Sequence, residues 1–61
     1  MQNEKSVEQI IGKRIQKIRQ AKGYTQQQFA GVIGLSTNYF SDIERGKSSA
    51  RLDKLVAIIN A

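Results

Sequence analysis

Residues 25–46, which read TQQQFAGVIGLSTNYFSDIERG, contain the signals that decide the fold of this chain. Their pattern predicts two short helices, 26–33 and 37–45, joined by the three residues 34–36. The glycine that opens this connection permits the left-handed backbone conformation that ends a helix. Two short helices joined by such a turn are typical of a helix-turn-helix unit, and we expect this unit at the centre of the domain.

Both predicted helices begin with a capping residue. Thr25 and Gln28 have the spacing of a capping box, and Ser36 occupies the corresponding position before the second helix. Tyr24 and Phe29 flank the first cap at the spacing of a hydrophobic staple, in which an apolar side chain before the helix packs on one inside it. Local signals therefore place both helix starts to within a residue or two.

A longer amphipathic helix is predicted before this unit, over residues 6–22. Ile11, Ile15 and Ile18 lie on one face at helical spacing. Gly12 interrupts the pattern, because glycine lowers helix stability by up to ~1 kcal/mol relative to alanine. Either the helix begins at Gly12, or another backbone packs close to it.

A fourth helix is predicted over residues 52–60. Its expected apolar face consists of Leu52, Leu55, Ile58 and Ile59. No segment has the sustained period-two alternation of a strand. The sequence thus predicts an all-α fold, a compact domain of four helices.

The composition excludes several classes of function. The chain has 61 residues and contains no cysteine, histidine, tryptophan or proline. It therefore lacks disulfides, thiolate ligands for zinc and the usual general base. We expect no enzyme activity, no metal and no cofactor. No apolar run approaches the ~18 residues of a membrane span, and the first residues do not form a secretory signal, so a cytoplasmic location is expected.

Positive charge is concentrated in one part of the sequence. Ten Lys and Arg stand against five Asp and Glu, which gives a net charge of +5. Residues 9–41 contain no acid and five basic residues, which are Lys13, Arg14, Lys17, Arg19 and Lys22. Such a surface suits nucleic acid or an anionic membrane, although a solvated helix face has the same composition. The lysines at 13, 17 and 22 are interpreted as solvated or steering charges rather than specific contacts.

The combination of short motifs is more specific than any one of them. These motifs are IGKRI at 11–15, IR at 18–19, KGYTQ at 22–26, FA at 29–30, IGLS at 33–36 and IERGK at 43–47. Together they closely resemble the phage-repressor and Cro type of helix-turn-helix, also called the xenobiotic-response-element family of bacterial and phage regulators. The resemblance covers residues 11–61 and implies a lambda-repressor-like DNA-binding domain.

The resemblance also implies roles for individual positions. The residues placed where the family reads bases are Thr37, Asn38, Ser41 and Asp42. Those placed where it binds DNA phosphates are Gln26, Ser36, Tyr39, Arg45, Lys47 and Arg51. Arg19 and Glu44 match an interior ion pair that joins the first helix to the recognition helix.

The chemistry of these side chains leaves some alternatives open. Asn38 can form two hydrogen bonds with adenine N6 and N7. Asp42 either accepts from cytosine N4 or pairs with Arg45 in a structural role. Thr37 contacts a thymine methyl group or a phosphate, and Tyr39 is expected to be half-packed with its hydroxyl able to reach a phosphate.

Two departures from the family pattern concern the end of the chain. The family often has proline and a Ser or Thr cap before its fourth helix, where this sequence has Ala50 and Arg51, so Ser48 or Ser49 is the expected substitute cap. The family usually has a fifth helix. We therefore expect residues 10–61 to be the domain without its last helix. Either the chain is part of a longer regulator, or a second subunit covers the exposed face. Residues 1–9 are expected to be a flexible N-terminal segment or a helix extension.

These observations predict a sequence-specific double-stranded DNA-binding transcriptional regulator, in particular a repressor. Helix 37–45 would read the major groove, and a homodimer would bind a palindromic operator with half-sites ~34 Å apart. The alternatives are a protein-interaction module, such as the antitoxin of a toxin–antitoxin pair, and a restriction–modification controller protein. No membrane partner is expected.

Overall fold

The computed structural model describes residues 6–61 as four helices, α1 (Val7–Ala21), α2 (Gln26–Ile33), α3 (Thr37–Arg45) and α4 (Leu52–Asn60). Over this range there is no strand, and the predicted all-α fold is confirmed. Residues 1–5, which make up most of the predicted N-terminal segment 1–9, lie outside the described residues. Among the described residues, no helix combines the length and apolar character needed to cross a membrane.

The predicted caps and the turn are present. Thr25 and Gln28 form a complete capping box at the start of α2, and the Ser36 hydroxyl accepts from the Tyr39 backbone N–H at 3.1 Å. Gly34 ends α2 with φ of 78°, in the left-handed region that favours glycine. The left-handed residue reverses the chain within the 34–36 turn, and this sets α3 across α2.

The core lies at the meeting point of the four helices. Phe29 and Phe40 are fully buried and pack edge to face, with ring centroids 5.7 Å apart. Tyr24 stacks on Phe29 at 5.1 Å, as the predicted staple requires. The buried apolar residues are Ile15, Phe29, Ala30, Ile33, Phe40, Ile43 and Ile58. Since they come from all four helices, the helix-turn-helix unit is held by both flanking helices.

Gly12 lies inside α1, where α1 crosses α3. A Cβ atom at this position would overlap the carbonyl oxygen of Ile43 and lie 2.6 Å from that of Glu44. Of the two possibilities left open by the sequence, the close approach of another backbone is therefore the one that occurs. The absence of a side chain at Gly12 allows α1 and α3 to pack backbone against backbone.

The predicted apolar face of α4 is partly wrong. Ile58 is 1% exposed, whereas Leu52 is 76% and Ile59 is 67% exposed. Successive helical residues point about 100° apart, so a face centred on Ile58 excludes Ile59. Leu55 packs against the core as predicted. The face is completed by Ala57 and by Lys54, whose ammonium group donates to the carbonyl oxygen of Ile33 at 3.1 Å.

The predicted substitute cap of α4 is also wrong. Arg51 occupies the N-cap position, and no side chain caps the helix start there. Ser49 forms other bonds, because its hydroxyl donates to Glu8 Oε2 at 3.3 Å and its carbonyl accepts from Tyr39. Ser49 is thus engaged with α1 and α3 and does not cap α4.

Candidate nucleic-acid interface

Helix α3 has its buried and its polar residues on opposite sides. Phe40 and Ile43 face the core. The four predicted base-reading residues lie on the opposite side, where Thr37 and Asn38 are exposed and Ser41 and Asp42 are half-exposed. Ser36 caps this end, and the remaining N–H groups of the first turn point ahead of the helix, an arrangement that favours anions. The structure therefore brings all four predicted base-reading residues onto one accessible surface.

A buried polar network holds α3 in place. Arg19 Nε donates to Glu44 Oε2 at 2.7 Å, and the two side chains are only 10% and 2% exposed. Gln26 Nε2 donates to Glu44 Oε1 at 2.8 Å, and Arg19 Nη1 donates to the Tyr24 carbonyl at 2.8 Å. Since Arg19, Gln26 and Glu44 belong to α1, α2 and α3, these bonds fix the three helices relative to one another.

This network also determines what Gln26 can do. One N–H of its amide is bonded to Glu44, and the second N–H is free to bond to a group outside the protein. Gln26 is half-buried at the first position of α2. It therefore connects the interior ion pair to the surface on which α3 is presented.

Asp42 and Arg45 lie together at the end of α3. Arg45 Nη2 and Asp42 Oδ1 are 3.4 Å apart, and both side chains are well exposed. An exposed pair of this kind contributes about 0–1 kcal/mol to stability. The structure thus contains the Asp42–Arg45 pair, which is one of the two interpretations of Asp42. This pair is weak enough for a base or a phosphate to replace one of its partners.

Tyr39 is placed differently from its expected role. Its ring packs against the core, and its hydroxyl donates to the Ser49 carbonyl at 2.8 Å. A phenol has a single proton to donate, so a phosphate oxygen would have to replace this bond. In this arrangement Tyr39 holds the loop between α3 and α4 against α3.

The remaining predicted phosphate contacts lie on or next to that loop. Lys47 and Arg51 are exposed, and the Lys47 backbone N–H donates to the Asp42 carbonyl at 2.8 Å. Arg51 Nε lies 3.9 Å from Asp53 Oδ1, a solvent-exposed contact at the distance limit of an ion pair. The Arg51 carbonyl accepts from the backbone N–H groups of Lys54 and Leu55 at 3.0 Å, so the backbones of both cations are held while their side chains remain accessible.

Sequence reasoning missed one part of this surface. A cleft of about 430 Å³ opens between α1, α2 and α3 and is lined by Gln9, Lys13, Gln16, Gln26, Glu44 and Arg45. The spacing of positions 9, 13 and 16 places them on one face of a helix, but nothing in the sequence indicates which element that face meets.

These features define a class of protein. A capped, exposed polar helix follows a tight glycine turn and is fixed by a preceding helix, which is the construction of a helix-turn-helix DNA-binding domain. The helix-turn-helix family model matches residues 15–61, and the chain belongs to this family, in its Cro/C1 type. The predicted family, one of DNA-binding transcriptional regulators and not of enzymes, is confirmed.

Two relatives and one solved structure illustrate this membership. YazB of Bacillus subtilis (strain 168), an uncharacterized HTH-type transcriptional regulator, is 38% identical over 55 residues, which cover 85% of this chain and 80% of YazB. The immunity repressor protein of Bacillus phage phi105 is 39% identical over 51 residues, which cover 84% of this chain and 35% of the repressor. The chain thus matches about a third of that repressor's length.

The solved structure is the restriction-modification controller protein C.AhdI from Aeromonas hydrophila. It superposes with a TM-score of 0.81 at 28% identity, covering 87% of this chain and 77% of the controller. The two proteins therefore share their fold over most of this chain.

Proposed function

We propose that this protein is a sequence-specific repressor of transcription that inserts α3 into the major groove of double-stranded DNA. The observation that carries the proposal is the Arg19–Glu44–Gln26 network, which fixes α3 from beneath while its polar side stays accessible. A reading surface held in this way loses little conformational entropy on binding.

Base recognition is assigned to the four polar residues of α3. Asn38 forms a pair of hydrogen bonds with adenine, and each such pair discriminates by about 1–3 kcal/mol. Thr37 and Ser41 contact base edges or the adjoining phosphates from the same side of the helix. Asp42 accepts from cytosine N4 when its exposed pair with Arg45 opens.

Backbone recognition is assigned to residues around this surface. The proposed phosphate contacts are Gln26, Ser36, Arg45, Lys47 and Arg51. Tyr39, whose hydroxyl is bonded to Ser49, supports them by holding the loop that carries Lys47 and Arg51. The net charge of +5 supplies the attraction to DNA, which weakens as salt increases.

The proposed binding unit is a homodimer on a palindromic operator, with its two α3 helices in successive major grooves ~34 Å apart. The resemblance to C.AhdI favours a second, narrower role, the control of a restriction–modification system. That role uses the same DNA-reading surface, and a restriction or methyltransferase gene next to the gene for this protein would support it. The protein acts by binding and not by catalysis, so turnover of generic esters or phosphoesters is not expected.

Selection from a random DNA library, followed by titrations at several salt concentrations, tests the proposal. Recovery of a palindrome is expected, and its symmetry would report the half-site and the spacing.

Asn38→Ala should weaken binding by ~1–3 kcal/mol and relax the preference at one base position. Lys47→Ala should weaken binding to all sequences equally and reduce the salt dependence. A uniform loss for Asn38→Ala would contradict its base-reading role, and the absence of any enriched sequence would contradict the function.

A further inference from the structure

The cleft between α1, α2 and α3 brings a side chain of α1 to the proposed DNA-binding surface. Gln9, Lys13 and Gln16 are spaced by four and three residues and so line the cleft from one face of α1. Gln26 and Arg45, two of the proposed phosphate contacts, line the same cleft from α2 and α3. Lys13 therefore shares a concave surface with both of them.

The backbone fixes the position of Lys13. The preceding residue, Gly12, packs directly on the carbonyl groups of Ile43 and Glu44. One turn earlier, Gln9 packs against Gly46, where a Cβ atom would lie 2.8 Å from the Gln9 Cα. Because α1 contacts the end of α3 at Gln9 and again at Gly12, directly before Lys13, the spacing between the backbones of Lys13 and Arg45 is a property of the fold.

The charges around the cleft suit an anion. Lys13 and Arg45 contribute two positive charges, and Glu44 is the single acid among the six lining residues. The Glu44 carboxylate is 2% exposed and accepts hydrogen bonds from Arg19 and Gln26, so its charge is compensated from the interior. The free N–H of the Gln26 amide adds a neutral donor. A tetrahedral oxyanion can thus approach two cations and a donor.

We infer that this cleft receives one phosphate of the DNA backbone, and that Lys13 is a specific phosphate contact contributed by α1. The inference rests on the proposed function and extends the interface beyond the helix-turn-helix unit. Lys17, on the same helix, lines a different groove with Ile10, Lys13 and Arg14 and is not among the residues of the cleft. Lys17 is therefore a matched control, because it has the same charge, lies on the same helix and shares that groove with Lys13 but does not line the cleft.

The experiment compares Lys13→Gln with Lys17→Gln in the full chain, on a DNA site obtained by selection. Affinity is measured against salt concentration, and circular dichroism checks that both variants fold as the wild type does. Loss of one phosphate contact per protomer lowers the slope of log K against log salt by about 0.9. We expect this change, with a several-fold weaker affinity, for Lys13→Gln. Lys17→Gln should keep the wild-type slope within error.

A scan of neutral methylphosphonates through the half-site identifies the phosphate. For the wild type and Lys17→Gln, replacement of one particular phosphate should weaken binding, and for Lys13→Gln that loss should become clearly smaller, because only Arg45 and Gln26 still contact this phosphate. Equal behaviour of the two variants on a site that the wild type binds would overturn the role of Lys13 but leave the proposed function standing. If competition by inorganic phosphate at constant ionic strength depends on Lys13 while no methylphosphonate does, the cleft binds free anions and the inference is wrong. Failure of the wild type to bind any DNA would overturn both.

Discussion

Replacement of Gly12 by alanine tests how far the domain depends on the contact between α1 and α3. The added methyl group would lie 2.6 Å from the Glu44 carbonyl oxygen and closer still to that of Ile43, where ordinary contact begins at 3.4 Å. Both opposing atoms belong to the α3 backbone, which cannot rotate away as a flexible side chain would. The two helices must therefore separate by at least about 0.8 Å, the difference between those two distances.

The size of the effect follows from two opposing contributions. Alanine improves the helix propensity of α1 by ~1 kcal/mol. Separating packed surfaces by 0.5–1 Å removes about a quarter to a half of the dispersion energy of each contact across them. Overpacking typically destabilises by about 1–3 kcal/mol, or more where backbone must move, and here both clashing atoms are backbone. We therefore expect a net loss of about 2–3 kcal/mol, a large part of the ~3–5 kcal/mol available to so small a core.

Thermal unfolding followed by far-ultraviolet circular dichroism measures this loss. For a domain of this size, about 2–3 kcal/mol corresponds to a fall in Tm of roughly 10–20 °C. Gly31→Ala in α2 is the control, because a Cβ atom there meets nothing within 4 Å. That variant should be more stable by up to ~1 kcal/mol. If Gly12→Ala matched or exceeded the wild-type Tm, the reasoning from the backbone contact would be refuted.

Three further substitutions test individual contacts. Arg19→Leu leaves the buried Glu44 without its ion-pair partner, a loss of ~3–5 kcal/mol that is comparable to the whole stability of the domain, so the helical circular-dichroism signal without denaturant should fall sharply; a wild-type signal and urea midpoint would contradict the importance of the pair. Tyr39→Phe removes the bond to the Ser49 carbonyl and should lower stability by ~0.5–1.5 kcal/mol and weaken DNA binding less than Lys47→Ala, which parallel melts and titrations would check. Lys54→Met removes the donor to the Ile33 carbonyl and should speed amide exchange near the end of α2, with no change expected in the first turn of α1.

The elements that the sequence predicts well are those governed by local signals. The bounds of α2 and α3 agree with the prediction because each start has a side-chain cap and each end has a glycine with positive φ. These interactions lie within four or five residues and depend little on the rest of the fold. The polar side of α3 was equally predictable, since helical spacing alone separates Asn38 from Phe40 and Ile43.

The features that escaped prediction depend on contacts between distant segments. Leu52 and Ile59 are apolar residues of the kind that forms a buried helix face. The orientation of α4, however, places Ile58 and Ala57 against the core. Ser49 looks like a cap for α4, yet its hydroxyl is bonded to Glu8, 41 positions away in the chain. In each case the local sequence suggests one arrangement, and a contact with a distant segment determines which side chain is buried or bonded.

Lys13 shows why a helix face cannot be assigned a function before the helix crossing is known. From its position in the helical pattern it is expected to be a solvated surface lysine, and the same expectation holds for Lys17. The difference between them arises at Gly12, where the backbone of α3 approaches and the cleft with Gln26 and Arg45 forms beside it. The sequence shows that this glycine lowers the stability of the helix, but it does not show that the α3 backbone packs against it. The contact that allows the core to close therefore also determines which lysine of α1 faces the proposed DNA-binding surface.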